Sequence, residues 1–419
     1  MIKFKSATKT RNYIMNTPEA KSASQRLVSV DALRGFDMFW IIGADALVQA
    51  LSHLGETPVT KLLANQMEHA EWAGFRFYDL IFPLFLFIVG VSIVLSMDRM
   101  LATNGRKGAL IRIARRSVLL FVLGIFYYDG LARPWPDVHL AGVLPRIALC
   151  YFVAATLYVL LPRKGIVAAA VICLAGYWAL MMFVPFPDVQ LAHSKIGKKE
   201  TQANATAPAV LLANVTTTVH GTFEEGHNLA HYVDYRWLPG WKRNLNYTNE
   251  GLLSTMPSVA TTLLGIVAGW VLTSARWSGR QKVTWLLAAG AAGVLLGMLW
   301  GLEFPIIKRI WTSSYVLVAG GYSAIFLGVF YLVVDVWQVR AWCQPFVWMG
   351  TNAITIYLIE NILGGFSGLA SRLVGGDVQQ FVDAHLAKGC GNLLVAAVGL
   401  LIAFWFVRFL YQRKIFLRV

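Results

Sequence analysis

Charge is sparse in this chain. Only 14% of its 419 residues are charged while 57% are hydrophobic, whereas a soluble domain carries about 25% charged residues. Too few polar groups remain to cover a water-facing surface, which excludes an ordinary soluble enzyme. Cysteine is scarcer still. Cys150, Cys173, Cys343 and Cys390 are scattered, without a Cys-x-x-Cys or Cys/His cluster, so no zinc centre, haem site, disulfide framework or other metal site is expected. Soluble nucleotide and nucleophile signatures are also missing: no Gly-x-Gly-x-x-Gly ahead of an acidic residue, no phosphate-binding loop, no Gly-x-Ser-x-Gly elbow. A nucleotide-bearing substrate would have to be held by helix ends and their basic flanks.

What the chain has instead is a succession of apolar runs, each near the roughly 20 residues that a helix needs to cross the hydrocarbon layer. They predict an all-α polytopic membrane protein with about ten transmembrane helices and one long extracytoplasmic loop. The spans fall near 32–52, 77–98, 109–128, 139–161, 165–184, 251–274, 283–301, 313–337, 343–363 and 390–410. Five units follow: an N-terminal segment (1–30), a first helical half with the candidate catalytic loop (31–184), a long loop (185–250), a second helical half (251–412) and a tail (413–419). Fifteen Trp and fifteen Tyr suit interfacial belts.

The formal charge is +15, yet most of it lies in short tracts between apolar runs, the pattern of membrane orientation and not of nucleic-acid binding. Basic residues crowd the N-terminus (Lys3, Lys5, Lys9, Arg11, Lys21, Arg26) and the 99–116 loop (Arg99, Arg106, Lys107, Arg112, Arg115, Arg116). They recur at Arg163 and Lys164, at Arg276, Arg280 and Lys282, at Arg340, and at Arg408, Arg413, Lys414 and Arg418. Both termini are therefore expected in the cytoplasm, with Lys308 and Arg309 as a mild exception. The opening segment lacks an apolar core and a small-residue cleavage site, so it does not read as a cleaved leader. A bacterial inner membrane is the expected setting. The 185–250 loop then faces outward, and its "HNLAHYVDYRWLPGW" suits a folded lid. It carries Asn-x-Ser/Thr at Asn204, Asn214 and Asn246, which matter only in a secretory pathway.

Ionisable residues inside spans are costly and face a cavity, a partner or a pathway. Asp31 and Arg34 stand three apart in "SVDALRGFDMFWIIGADAL", on one helical face, as a local ion pair or as an anion site. Asp37 lies a turn deeper and Asp45 past the midpoint. In "FYDLIFPLF", Asp79 is placed to cap a helix, and Pro83 sits early enough to be tolerated. Arg146, in "GVLPRIALCYF", needs a carboxylate or a phosphate. Asn352 and Glu360 share a face of "FVWMGTNAITIYLIENI". Channels and transporters also have polar interiors, so this set alone does not name a reaction. His69 in "HAEWAGFRFYDLIFPLFLFIVGVSI" is either an interfacial ring packed beside Trp72 or a base at the mouth of a helix.

Six stretches in order resemble the heparan-α-glucosaminide N-acetyltransferase family: "RLVSVDALRGF" from Arg26, the His69 stretch just quoted, "GVLPR" (Gly142–Arg146), "EGLLST" from Glu250, "KRIWTSSY" from Lys308 and "GTNAITIY" from Gly350. The resemblance runs from residue 26 to the C-terminus. It implies transfer of an acetyl group from cytosolic acetyl-CoA, as donor substrate, to the amino group of a glucosamine-type sugar across the membrane, and by analogy a homodimer. No span carries a defensible dimer motif. The family's catalytic histidine falls on His69. A family asparagine falls on Asp45, which is a departure, and the acidic neighbour in the family's "DPEGLL" is here Thr248.

On that resemblance His69 is the base that deprotonates the amine, or the nucleophile that carries the acetyl group, with Asp45 orienting it or binding the sugar ammonium. Trp72, Asp79, Glu250, Trp311 and Asn352 are the candidate sugar contacts. Arg34, Arg146 and Lys308 are the candidate CoA contacts. The competing readings are an amino-sugar or N-acetylglucosamine transporter, for which internal repeats are expected and none is evident, and an O-acyltransferase acting on an envelope polysaccharide.

Overall fold

The computed structural model describes residues 27–54, 57–191, 211–213, 215–362 and 364–417. The basic N-terminal residues through Arg26, the sequons at Asn204 and Asn214, and Arg418 lie outside that set. Among the described residues, seven helices are long and apolar enough to cross a membrane, or eight if one bent pair counts as a span. The chain is built as a helical integral membrane protein.

The first apolar run is not one straight rod. Helix α1 (Val28–Phe39) passes through a wide π-type turn at Trp40–Ala44, with Gly43 at φ 125°, into α2 (Asp45–Leu54). A short helix, α3 (Pro58–Gln66), follows, started by a Thr57–Thr60 capping box and Pro58. The expected spans 77–98 and 109–128 both lie in α4 (Phe77–Tyr127), 51 residues in all. A straight helix of that length would run roughly 76 Å, over twice the roughly 30 Å hydrocarbon layer. It breaks at Gly105, whose φ of 65° only glycine adopts readily. Ser92 and Arg116, on either side of that break, line one small pocket, so the two halves double back on each other.

Four expected spans appear directly as α5 (Val143–Leu160), α6 (Arg163–Phe183), α8 (Thr255–Thr273) and α9 (Gly279–Trp300). Between α6 and α8 the described residues of the long insertion form two small antiparallel pairs, β1 (Phe186–Pro187) with β2 (Thr218–Val219) and β3 (Phe223–Glu224) with β4 (His227–Asn228). Helix α7 (Leu229–Trp237) follows, capped where Asn228 Oδ1 accepts the His231 N–H at 2.9 Å. This lid rests on α6 through Phe186 and Leu229, which cluster with Tyr177 and with Phe304 of the 301–312 turn.

Helix α10 (Ser313–Phe330) continues through a second π-type turn to Val336. The expected 343–363 span is split into α11 (Gln344–Thr351) and α12 (Ala353–Ile362), followed after a bend by α13 (Phe366–Val374). Helices α14 (Asp377–His385) and α15 (Cys390–Gln412) complete the chain. The main core lies between α4, α5, α8 and α10, and a second one joins α1, α11, α12 and α15.

Small residues let these helices touch backbone to backbone, as membrane packing favours. At the crossing of α1 and α11, a Cβ on Gly35 would stand 1.7 Å from the Phe346 carbonyl oxygen, and one on Gly350 would stand 1.9 Å from that of Asp31. Two glycines from two of the ordered motifs thus make a single contact. Gly350→Val must force α1 from α11 and should destabilise the protein by roughly 3 kcal/mol. Gly368→Ala, which meets open space within a helix, should be neutral or mildly stabilising. Thermal unfolding in detergent checks both, and equal midpoints for the two variants would refute the contact.

Candidate active site

A cavity of about 850 Å³ opens where α4 begins, walled by α1, α4, α5, α12, the lid and the 301–312 turn. His69 stands at its rim because the chain between α3 and α4 is pinned from several sides. The Gln66 side chain accepts the Phe77 N–H (2.9 Å), the Gly74 N–H reaches the Ile306 carbonyl (2.8 Å), and Arg76 Nη1 donates to the His69 carbonyl (3.1 Å).

Asp79 is the centre of the site. It occupies the first turn of α4 as the third helical residue, not as the cap itself: its Oδ2 accepts the N–H of Arg76 at 3.1 Å and of Ala70 at 3.2 Å. Its Oδ1 meets His69 Nδ1 at 2.9 Å and Lys308 Nζ at 3.4 Å. An acceptor-only carboxylate takes the Nδ1 proton, which leaves Nε2 with its lone pair. The Asp79 side chain is 1% exposed and that of His69 is 51% exposed: a buried anion holds an accessible base. Burial lowers the His69 pKa from its ordinary value, the Lys308 and Arg309 charges lower it further, and Asp79 pulls the other way. Burial also lowers the pKa of Lys308, with Asp79 opposing. The ring is therefore neutral near pH 7, as a general base requires.

The 301–312 turn delivers Lys308, Arg309 and Trp311 together. Trp311 adopts φ 54°, an unusual conformation for a bulky residue that costs about 1–3 kcal/mol and marks functional constraint. The turn is closed by Trp311 N–H to Lys308 O (3.0 Å) and Thr312 N–H to Ile307 O (3.2 Å). Trp311 packs edge-on to Phe82 and Tyr315 and forms part of the cavity wall. From the lid, Glu225 accepts from Arg309 Nη1 (2.6 Å) and from the Tyr247 hydroxyl (3.0 Å).

Of the residues singled out in the sequence, His69, Asp79, Glu250, Lys308 and Trp311 line this cavity. Asp45 is not among the lining residues, but it is within electrostatic reach of Tyr78, which is, and of His69. Trp72 is elsewhere: its indole donates to the Phe223 carbonyl (2.8 Å) and its ring meets His231 edge-on, so it fastens the lid. Asn352 is buried, its amide donating to the Trp348 carbonyl at 3.3 Å, and only its neighbour Ala353 reaches the cavity. Arg146 is fully buried, donating to Gly251 O at 3.1 Å and to Ser254 Oγ. Sequence reasoning passed over Tyr78, Glu225, Arg243, Asn249 and the stacked pair Tyr127–Tyr357, whose centroids are 4.6 Å apart. Aromatic enrichment alone did not mark that pair, because the two rings come from helices distant in sequence.

A second pocket of about 260 Å³ holds Arg34 and Arg116. Arg34 donates to Ser92 Oγ (2.7 Å) and reaches Asp31 (3.4 Å). Arg116, a member of the basic 99–116 tract, thus faces a pocket. Both pockets follow one face of α4, Tyr78–Ile81–Phe82–Phe85 and then Phe85–Val89–Ser92. From Tyr78 to Ser92 is 14 residues, roughly 21 Å along a helix axis. The pockets share Phe85, Leu144, Ile147, Ala353 and Ile354, an apolar septum between two polar chambers. Lys308 belongs to the His69 chamber, not to that of Arg34.

A family profile described as a domain of unknown function (DUF5009) matches residues 26–192. The human heparan-alpha-glucosaminide N-acetyltransferase is 28% identical over 391 aligned residues, and the mouse enzyme of the same name 27% over 389. Each alignment covers 84% of this chain and 56% of the relative, so the chain spans about half the length of the curated relatives it matches. The resemblance seen in the ordered motifs extends beyond them: over 84% of its length this chain is similar to the heparan-alpha-glucosaminide N-acetyltransferases.

Proposed function

We propose that the protein is a transmembrane acetyltransferase that moves an acetyl group from acetyl-CoA, held from the cytoplasmic side, to the amino group of a glucosamine-type sugar held on the far side. The observation that carries this reading is the pair of chambers stacked on α4, with a base at one end, two arginines at the other and only apolar side chains between. A donor with a polyanionic head and a long neutral arm matches that division. Arg34 and Arg116 take phosphate oxygens, and the arm brings the thioester past Phe85 toward His69.

The acceptor enters under the lid. An ammonium sugar meets Glu250, Glu225 and Glu71 around the His69 chamber, and Tyr127–Tyr357 offers an aromatic edge to its ring. His69 Nε2 removes a proton from the ammonium, and the free amine attacks the thioester carbonyl. The C–N bond forms, the C–S bond breaks, and the nitrogen's second proton passes to the departing sulfur, which leaves with the arm as a thiol. Asp79 holds the ring by Nδ1 and stabilises the imidazolium as it forms. Lys308, 3.0 Å from Nδ1 and 3.4 Å from Nε2, opposes excess proton affinity in the resting ring and is the nearest cation to the developing oxyanion.

Purified protein in detergent, given radiolabelled acetyl-CoA and glucosamine, should form N-acetylglucosamine. His69→Ala should lower kcat by about 10²-fold or more while still binding acetyl-CoA. A wild type that binds acetyl-CoA and acetylates no amino sugar would overturn the acceptor assignment. Arg34→Ala and Arg116→Ala should each weaken acetyl-CoA binding roughly tenfold by calorimetry, with the acceptor KM unchanged. Normal affinity in both would remove the phosphate role.

The pH dependence has a definite sign. His69 must be neutral to act, and its pKa lies below its ordinary value, so kcat/KM should rise through a pKa below 6.5 and be level above it. Asp79→Asn removes the charge that raises that pKa, so its acid limb should move to lower pH. Lys308→Met removes a charge that lowers it, so its limb should move to higher pH. Shifts in the same direction would contradict the dyad.

A further inference from the structure

Asn249 and Glu250 stand in the cavity wall on a stretch of turns between Tyr247 and α8, with neither helix nor strand of its own. Something must fix it. Asp234, on the lid helix α7 and 2% exposed, sets its carboxylate against this loop: Oδ1 accepts the Leu252 N–H at 2.8 Å and Oδ2 the Thr248 N–H at 3.4 Å. Gly251 lies between those two amides, and a Cβ there would stand 2.0 Å from one Asp234 oxygen and 2.3 Å from the other. From the opposite side Arg146 of α5, also 2% exposed, donates to the Gly251 carbonyl at 3.1 Å. Its guanidinium carbon sits 5.1 Å from the centre of the Trp311 ring, a second wall residue. The loop is thus held by its amides from the lid and by its carbonyl from the membrane helices. Burial holds the Asp234 carboxyl up at about 7 although two N–H groups pull it down.

We propose that Asp234 and Arg146 are positioning residues for the acceptor half of the cavity: together they clamp Gly251 so that Asn249 and Glu250 face the bound amino sugar, and they tie the docking of the lid to the assembly of that subsite. The inference rests on the reading of this chamber as the acceptor site. It gives Arg146 a role different from phosphate binding, and it gives the glycine of the "EGLL" stretch a steric reason. The clamp's partners come from three places: α5, α7 and the loop before α8. Removing any one of them frees the loop without touching His69, Asp79 or the Arg34 pocket.

The test is a double-mutant cycle on the full-length protein in detergent. Asp234→Ala should raise the acceptor KM roughly tenfold, as for loss of a charged hydrogen bond, and leave the affinity for acetyl-CoA unchanged. Asp234→Asn, whose remaining carbonyl oxygen still accepts the Leu252 N–H, should recover most of the effect. Gly251→Ala alone should act in the same direction, because its methyl group meets the carboxylate. In the Asp234→Ala background, however, Gly251→Ala should add nothing, because the obstructing oxygens are gone. An unchanged acceptor KM in Asp234→Ala, additive effects in the double variant, or an equal loss of acetyl-CoA affinity would each overturn the proposal. If Asp234→Ala does not fold, Asp234→Asn against Gly251→Ala carries the comparison, and a larger loss in Asp234→Asn would overturn it. Hydrogen exchange over 244–254 separates this inference from the functional reading. A wild type that acetylates no amino sugar sinks the acceptor site, whereas exchange that is no faster in Asp234→Asn or Gly251→Ala than in wild type sinks the clamp.

Discussion

One buried carboxylate organises the protein around it. Asp79 is almost wholly removed from solvent, yet it gathers two backbone N–H groups, an imidazole and an ammonium within hydrogen-bonding or ion-pair distance. A charge this deep is tolerable only when its oxygens are saturated, and removing one partner of such a pair costs about 3–5 kcal/mol. The position in the first turn of α4 helps, since the helix dipole favours an anion there. Each donor then fixes a separate piece of chain: Ala70 and Arg76 the His69 loop, Lys308 the 301–312 turn. The Tyr315 hydroxyl donates to the Asp79 carbonyl at 2.8 Å, which adds α10. The requirement to satisfy Asp79 is therefore also what aims His69.

Much of this was legible in the sequence, for a reason that the cavity makes plain. Five of the six ordered stretches supply cavity residues: His69 and Asp79, Val143 and Leu144, Glu250, Lys308 and Trp311, Ala353 and Ile354. The sixth supplies Arg34 in the adjoining pocket and Gly35 at the helix crossing. Hydropathy likewise located the apolar runs. It did not reveal that the first run turns at Gly43 or that the ninth divides at Asn352, because a broken helix and a straight one bury the same composition. Nor did spacing pair His69 with Asp79: ten residues apart, they match no helical period and meet only because the loop between them folds back.

The residues that were placed differently share a cause. Trp72 and Arg146 were read by what their side chains can do for a ligand, and both instead serve the protein's own backbone, at Phe223 and at Gly251. A polar side chain near a site has two kinds of customer, and only the tertiary contacts say which one it has. Arg116 illustrates the converse. Its place in a basic tract explained it fully as an orientation signal, until the fold at Gly105 brought it beside Ser92 and Arg34.

The division of the interior into two chambers follows from the same physics that sorts the chain into the membrane. A continuous polar path between Arg34 and His69 would hydrate and would let protons and ions follow the substrate. The five apolar side chains that line both chambers oppose such a path, because carrying a charge into a low-dielectric constriction is costly. That barrier discriminates by chemistry and not by size alone. A neutral, flexible acyl arm can thread between Phe85, Leu144, Ile147, Ala353 and Ile354 at little expense, whereas the phosphates at its far end cannot follow. On the proposed reading, the septum would hold the donor's anionic end at Arg34 and Arg116 while its reactive end reaches His69. On the same reading, transfer across a bilayer would require no movement of the whole donor, only an arm about as long as the roughly 21 Å that separate the two ends on α4.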